Sequence, residues 1–246
     1  MRLSQAWTVA RHDMAIFRQK RGILIGLVAL PVGVGVGFPL LVGYIISQTS
    51  KATAVSVLPG FIDAFSFWFV IGGAILPTAI SAYGIVGEKV ERSLEPLLST
   101  PTTDGEILLG KVLGPLVPTL LAIWGGSVVY QVLMDWASRG VLGYYYFPNW
   151  EMAVILFILA PLACLYAIEF SVLVSSRVTD ARSAQQYAGL IFLPLIFVYL
   201  GGEIGSFTLN TAHLLWISAA FAVIVLLLFQ VCRRLFHREE ILTRWK

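Results

Sequence analysis

Charge is the scarcest ingredient of this sequence. Only 13% of its 246 residues are charged, against 58% hydrophobic, and its mean hydropathy is +0.83. Soluble domains typically carry about 25% charged residues, so a polar shell around a core of this size is excluded. Cysteine is almost missing, and both examples, Cys164 and Cys232, fall inside apolar stretches. They supply no disulfide framework and read as small apolar residues. Histidine is limited to His12, His213 and His237, too scattered along the chain for a metal site within one subunit. There is no G-x-S-x-G and no H-E-x-x-H, so neither a nucleophile elbow nor a zincin helix is present. One phosphate-loop decoy exists, GEILLGKV over Gly105–Val112. Val112 stands where such a loop needs Ser or Thr for magnesium, and no strand precedes it. Its intervening residues are helix formers, whose N–H groups a helix already uses. The chain is therefore expected to hold no metal or cofactor of its own. A net charge of +3 suits a membrane protein and implies no nucleic-acid partner.

What the chain has in excess is apolar length. Uncharged stretches run Gly22–Ile46, Phe65–Val86, Val112–Met134, Tyr187–Leu200 and Ala212–Val231, and a further stretch, Met152–Val174, holds one charge, Glu169. About 20 apolar helical residues cross the hydrocarbon layer, so all but Tyr187–Leu200 are long enough. Charge placement argues that this short stretch crosses too. With six crossings, every one of the 17 Lys and Arg residues except Lys51 and Arg139 falls on one side. Without the short crossing, the basic tail would lie outside, against the positive-inside rule. The expected fold class is an all-α integral membrane protein with six transmembrane helices and both ends in the cytoplasm. A single domain covers 1–246. The first stretch is about twice as long as a signal-peptide apolar region and lacks a small-residue cleavage site, so it is read as a span.

Residues 1–21 place Leu3, Trp7, Ala10, Met14 and Phe17 on one helical stripe, with Arg2, Gln5, Arg11 and Arg18 largely off it. That pattern fits an amphipathic helix lying in the membrane interface; a plain extension of the first span is the competing reading. Gly22/Gly26, Gly33/Gly37 and Gly201/Gly205 have small-xxx-small spacing, suited to close helix approach within one subunit or between two. Pro77 and Pro194 are expected to kink the second and fifth spans. Tyr144, Tyr145, Tyr146, Phe147 and Trp150 form an aromatic group at an interface.

The most informative segment is 87–111, GEKVERSLEPLLSTPTTDGEILLGK. It is too polar to be membrane-buried. Glu88 to about Ser99 reads as a helix, with Glu88, Glu91 and Glu95 in an acidic row and Leu94, Leu97 and Leu98 in an apolar patch. Pro101 ends it, and a second helix begins with Thr103 as N-cap and Glu106 at the third position, a capping-box pattern. Anionic headgroups would repel the acidic row, so these six side chains are read as a protein-docking surface. Glu169 is the one acid inside a span, roughly 9 Å of helix rise from Ser175. An intramembrane carboxylate is a functional candidate; pairing with Arg177 or Arg182 is the structural alternative.

Three places resemble the permease family of type 2 ABC transporters, which includes drug, sodium, polysaccharide and nitrous-oxide-reductase-maturation exporters. They are Gly87–Lys111, with its GE, LE-x-LL-x-TP and EI-x-x-GK pattern; Ser175–Arg177 with Ala184–Gln186 and Leu193–Pro194; and the tail Phe236–Leu242. The resemblance implies a dimer, each half docked to a separate cytoplasmic ATPase that binds ATP and magnesium. It implies that Glu88–Thr100 is the coupling helix, that residues 1–21 are an interfacial connecting helix, and that Gly201–Thr211 forms a short re-entrant hairpin. It also implies a transport subunit rather than an enzyme, in the cytoplasmic membrane of a prokaryote, with 233–246 as a cytoplasmic tail. A secondary transporter or channel using Glu169 is the alternative class. If 87–98 docks an ATPase, Glu88→Arg combined with Glu95→Arg abolishes coupled stimulation of ATP hydrolysis while leaving expression intact. Unchanged stimulation would remove the docking assignment.

Overall fold

Inside hydrocarbon, each backbone N–H and C=O must find its partner within its own segment, and uninterrupted apolar runs therefore become helices. The computed structural model describes residues 3–19, 21–90, 103–177, 186, 189–203 and 210–235. Among them every regular element is helical: α1 (Leu3–Gln19), α2 (Arg21–Gln48), α3 (Lys51–Val90), α4 (Asp104–Leu142), α5 (Trp150–Val154), a π-helical turn (Ile155–Leu159), α6 (Ala160–Arg177), a 3-10 turn (Gly189–Ile191), α7 (Phe192–Glu203) and α8 (Thr211–Leu235).

Among the described residues five stretches are long and apolar enough to cross a membrane: Arg21–Gln48, Lys51–Thr78, Gly105–Leu142, Trp150–Val174 and Thr211–Arg234. The stretch Gly189–Gly202 is apolar but shorter. Two helices begin or end far from where hydropathy alone puts them. α3 starts at Lys51, not near Phe65, because Ser50 caps it: the Ser50 hydroxyl accepts the Thr53 amide at 3.3 Å. A lone Asp63 inside the run does not stop a helix. α4 continues past Met134 to Leu142 and ends where Gly143 takes φ 80°, the left-handed cap that L side chains avoid. At 40 and 39 residues, α3 and α4 are each roughly 60 Å long, about twice the hydrocarbon thickness. α3 runs unbroken through Pro59 and Pro77. Pro194 sits in the first turn of α7, directly after the 3-10 turn Gly189–Ile191. At the start of α4, the Thr103 amide donates to Glu106 Oε2 at 2.9 Å, as the capping-box pattern requires.

The helices have two common ends. At the near end, Ile107, Leu108 and Val112 of α4 cluster with Ile168 and Val172 of α6 and Cys232 of α8. At the far end, the Thr211 hydroxyl opening α8 donates to Glu151 of α5 at 2.6 Å. Since α6 finishes at the near end and α8 begins at the far end, the chain between Arg177 and Thr211 returns the length of the bundle. α7 lies on that return and packs on α3, with Tyr199 against Phe67 and Trp68 at centroid distances of 5.9 and 6.2 Å.

Close contact concentrates at glycines. A Cβ added to Gly126 would stand 2.4 Å from Pro31 Cβ, and one on Gly35 would stand 2.7 Å from the Gly126 carbonyl oxygen, so α2 and α4 cross nearly backbone to backbone. A Cβ on Gly110 would lie 2.6 Å from Val9 Cβ of α1. Gly22, Gly26, Gly33 and Gly37 have nothing within 4 Å, so packing among the described residues does not use them; Gly205 lies outside the described residues. The π turn is also accommodated, because the Trp124 indole N–H donates to the Leu156 carbonyl at 3.1 Å. Overpacking a membrane crossing of this kind costs about 1–3 kcal/mol. Gly126→Val therefore lowers the thermal unfolding temperature in detergent, whereas Gly125→Val, whose Cβ meets nothing within 4 Å, leaves it nearly unchanged.

Candidate functional site

The small residues of α1 decide how it sits. Ala6, Val9, Ala10 and Asp13 are its buried face, one stripe at helical spacing. The stripe expected from apolar character overlaps it only at Ala10: Leu3 is 73% and Trp7 48% exposed. Two different faces thus exist. A small-residue face fits α4 closely, and a bulky apolar face is left toward the surroundings. Opposite the small face stand Gly110 and Gly114, whose added Cβ atoms would meet Val9, the Ala6 carbonyl and Asp13. The GK that resembles a phosphate loop therefore belongs to a helix seat.

That seat brings two charges together. Lys111 Nζ lies 3.2 Å from both Asp13 Oδ1 and Asp13 Oδ2, and each side chain is almost wholly buried. A charge buried alone is strongly unfavourable, whereas a well-made pair returns much of that cost. His12, beside it, is exposed and lies 3.9 Å from Asp13 Oδ1. Charge counting along the chain places Lys111 among the basic loop residues and gives Asp13 no role. The signal that finds the pair is small-xxx-small spacing on both partners at once, Ala6/Ala10 facing Gly110/Gly114.

Glu169 is 2% exposed near the end of α6, and its Oε2 has no hydrogen-bond partner among the described residues. Its backbone carbonyl accepts from Cys232 Sγ at 3.4 Å. Among the described residues no ion pair reaches it; Arg182 lies outside them, and the Arg177 side chain is not described. Of the expected docking residues, Glu88 falls in the last turn of α3, so α3 extends into the segment 87–90. Glu91, Leu94, Glu95, Leu97 and Leu98 lie outside the described residues, as do Ala184, Gln185 and the tail from Phe236. Both cysteines are free and buried, and no metal-binding group of His, Cys, Asp and Glu occurs among the described residues.

The far end carries a second polar group that hydropathy does not reveal. The Tyr146 hydroxyl donates to Asp63 Oδ1 at 2.7 Å, while Asp135 Oδ1 accepts the amides of Tyr146 and Phe147 at 2.8 and 3.1 Å. Asp63 and Asp135 thereby pin the 143–149 loop to α3 and α4. Burial, and then the bond to Asp63, push the Tyr146 phenol up, so it remains a donor at physiological pH. Phe147 packs on Tyr130 at 5.7 Å. Tyr144, Tyr145 and Trp150 stay exposed, and the Arg139 guanidinium lies 4.6 Å from the Tyr145 ring centroid. The aromatic group thus splits into two inward anchors and an outward set suited to a membrane interface.

A family model described as "ABC-2 family transporter protein" matches residues 7–215. No curated protein matches the chain. Losing the bond to the half-buried Asp63 costs about 1 kcal/mol, the net worth of a typical internal hydrogen bond. Tyr146→Phe therefore lowers thermal stability and speeds proteolysis in the 143–149 loop, while Tyr145→Phe changes neither.

Proposed function

Because the chain belongs to the ABC-2 transporter family, which its match over residues 7–215 establishes, we propose that it is the transmembrane subunit of an ATP-driven exporter. It works as a dimer with a second permease, most simply a second copy of this chain. Each half docks to a cytoplasmic ATPase that holds ATP and magnesium. The family match carries this reading. The chain's own features agree with it: apolar helices of membrane-crossing length, and an acidic and leucine-bearing segment at 88–98 suited to docking. Six crossings are supported by the return of the chain between Arg177 and Thr211. The one-sided distribution of Lys and Arg favours cytoplasmic ends in a prokaryotic membrane. Few charges lie inside the spans, which favours an amphipathic or hydrophobic cargo over a bare ion.

One observation favours a second reading. The unpartnered, buried Oε2 of Glu169 is what a proton- or cation-coupled carrier or a channel would need inside a span. Affinity purification from native membranes separates the two. The exporter co-elutes with an ATPase and shows vanadate-sensitive MgATP hydrolysis, which Glu169→Gln leaves intact. A lone chain that moves solutes on an ion gradient, and stops when Glu169 becomes Gln, would overturn the exporter reading.

A further inference from the structure

We propose that α1 and α4 move as one rigid body during transport, clasped by the Asp13–Lys111 pair in the Gly110–Gly114 seat, and that this clasp carries motion at the start of α4 into α1 and α2. The inference rests on the exporter reading. Three contacts close a triangle. α1 meets α4 where a Cβ on Gly110 would stand 2.6 Å from Val9 Cβ, one on Gly114 would stand 3.1 Å from Asp13 Cβ, and Lys111 holds Asp13 at 3.2 Å. α1 and α2 are separated by one residue, with α1 ending at Gln19 and α2 starting at Arg21. α2 returns to α4 at the Pro31–Gly126 and Gly35–Gly126 contacts.

α4 also begins at the right place. Its first residue follows the segment 87–103 directly, and its capping box ties Thr103 to Glu106, so a displacement there enters a helix already closed at its end. The next two turns of that helix hold Gly110, Lys111 and Gly114. Sliding α1 by one residue shifts it about 1.5 Å. That shift would drive Val9 or Asp13 against the α4 backbone and pull the buried carboxylate away from the buried ammonium, which is strongly unfavourable. The α1–α4 contact is thus stiff against sliding, while the bulky face of α1 meets no comparable seat among the described residues. Asp13 and Lys111 are positioning residues, acting on transport through helix placement.

A covalent clasp tests this directly. A Cβ at Gly114 would lie 3.1 Å from Asp13 Cβ, a few tenths of an ångström short of disulfide spacing. The variant is Asp13→Cys with Gly114→Cys and Lys111→Met, the last removing the ammonium that Asp13 no longer meets. It is reconstituted with its ATPase in liposomes, and MgATP hydrolysis is measured after diamide and again after dithiothreitol, beside the parent treated identically. The expected result is low activity when reduced and parental activity when oxidised, with both forms monodisperse. A second arm, the charge swap Asp13→Lys with Lys111→Asp, recovers the activity that Asp13→Asn alone loses. An oxidised form that is folded but inactive, or a reduced form as active as the parent, overturns the clasp. A parent complex that hydrolyses no ATP defeats the exporter reading, and the clasp falls with it.

Discussion

Lipid tails are as apolar as leucine, so helices in a bilayer gain little by hiding leucine from their surroundings. Their association depends on how closely their backbones approach. Here that approach occurs at Gly126 against Pro31, at Gly35 against Gly126, and at Gly110 and Gly114 against α1. α4 contributes to every one of these contacts. It therefore serves as the spine on which α1 and α2 are mounted. α3 approaches α6 at Gly73, whose added Cβ would stand 3.2 Å from the Ala160 carbonyl oxygen, and larger side chains such as Tyr130, Phe67 and Phe69 fill the core. Leucines and phenylalanines of α2, α7 and α8 remain outward, Phe197 and Leu40 among them, as expected for surfaces that meet lipid or another apolar chain.

Polar groups occupy the two ends of the bundle and behave oppositely. At the far end carboxylates accept hydrogen bonds from a loop, so Asp63 and Asp135 act as anchors for Tyr146 and Phe147. At the near end Asp13 meets a cation, and Lys111 is held inside the helix pair rather than in a loop. Among the described residues Glu169 has neither kind of partner at its Oε2, which separates it from the structural acids. The same side-chain type therefore has three distinct roles, decided by what the neighbouring helix presents.

Hydropathy and charge placement determined on their own that the chain is helical, membrane-embedded and lacking a polar shell, because each depends on composition summed over a span. The capping box at Thr103 and Glu106 was legible for a similar reason: its residues are three apart and meet through local geometry. The docking residues Glu91, Leu94, Glu95, Leu97 and Leu98 remain known by their pattern alone. The length of α3 and α4 was not legible, since window hydropathy stops at the first polar residue while helix formation continues until a cap such as Ser50 or Gly143 intervenes.

Only the tertiary structure decided which glycines are contacts. Gly22/Gly26 and Gly110/Gly114 have the same spacing, yet one pair faces open space and the other receives a helix, because spacing defines a face and not what lies across it. The same holds for Asp13 and Lys111, which are far apart in the chain and meet only because two small-residue faces let α1 and α4 touch. Composition determined that this protein lives among helices in a membrane; shape complementarity between those helices decided where its charges are kept.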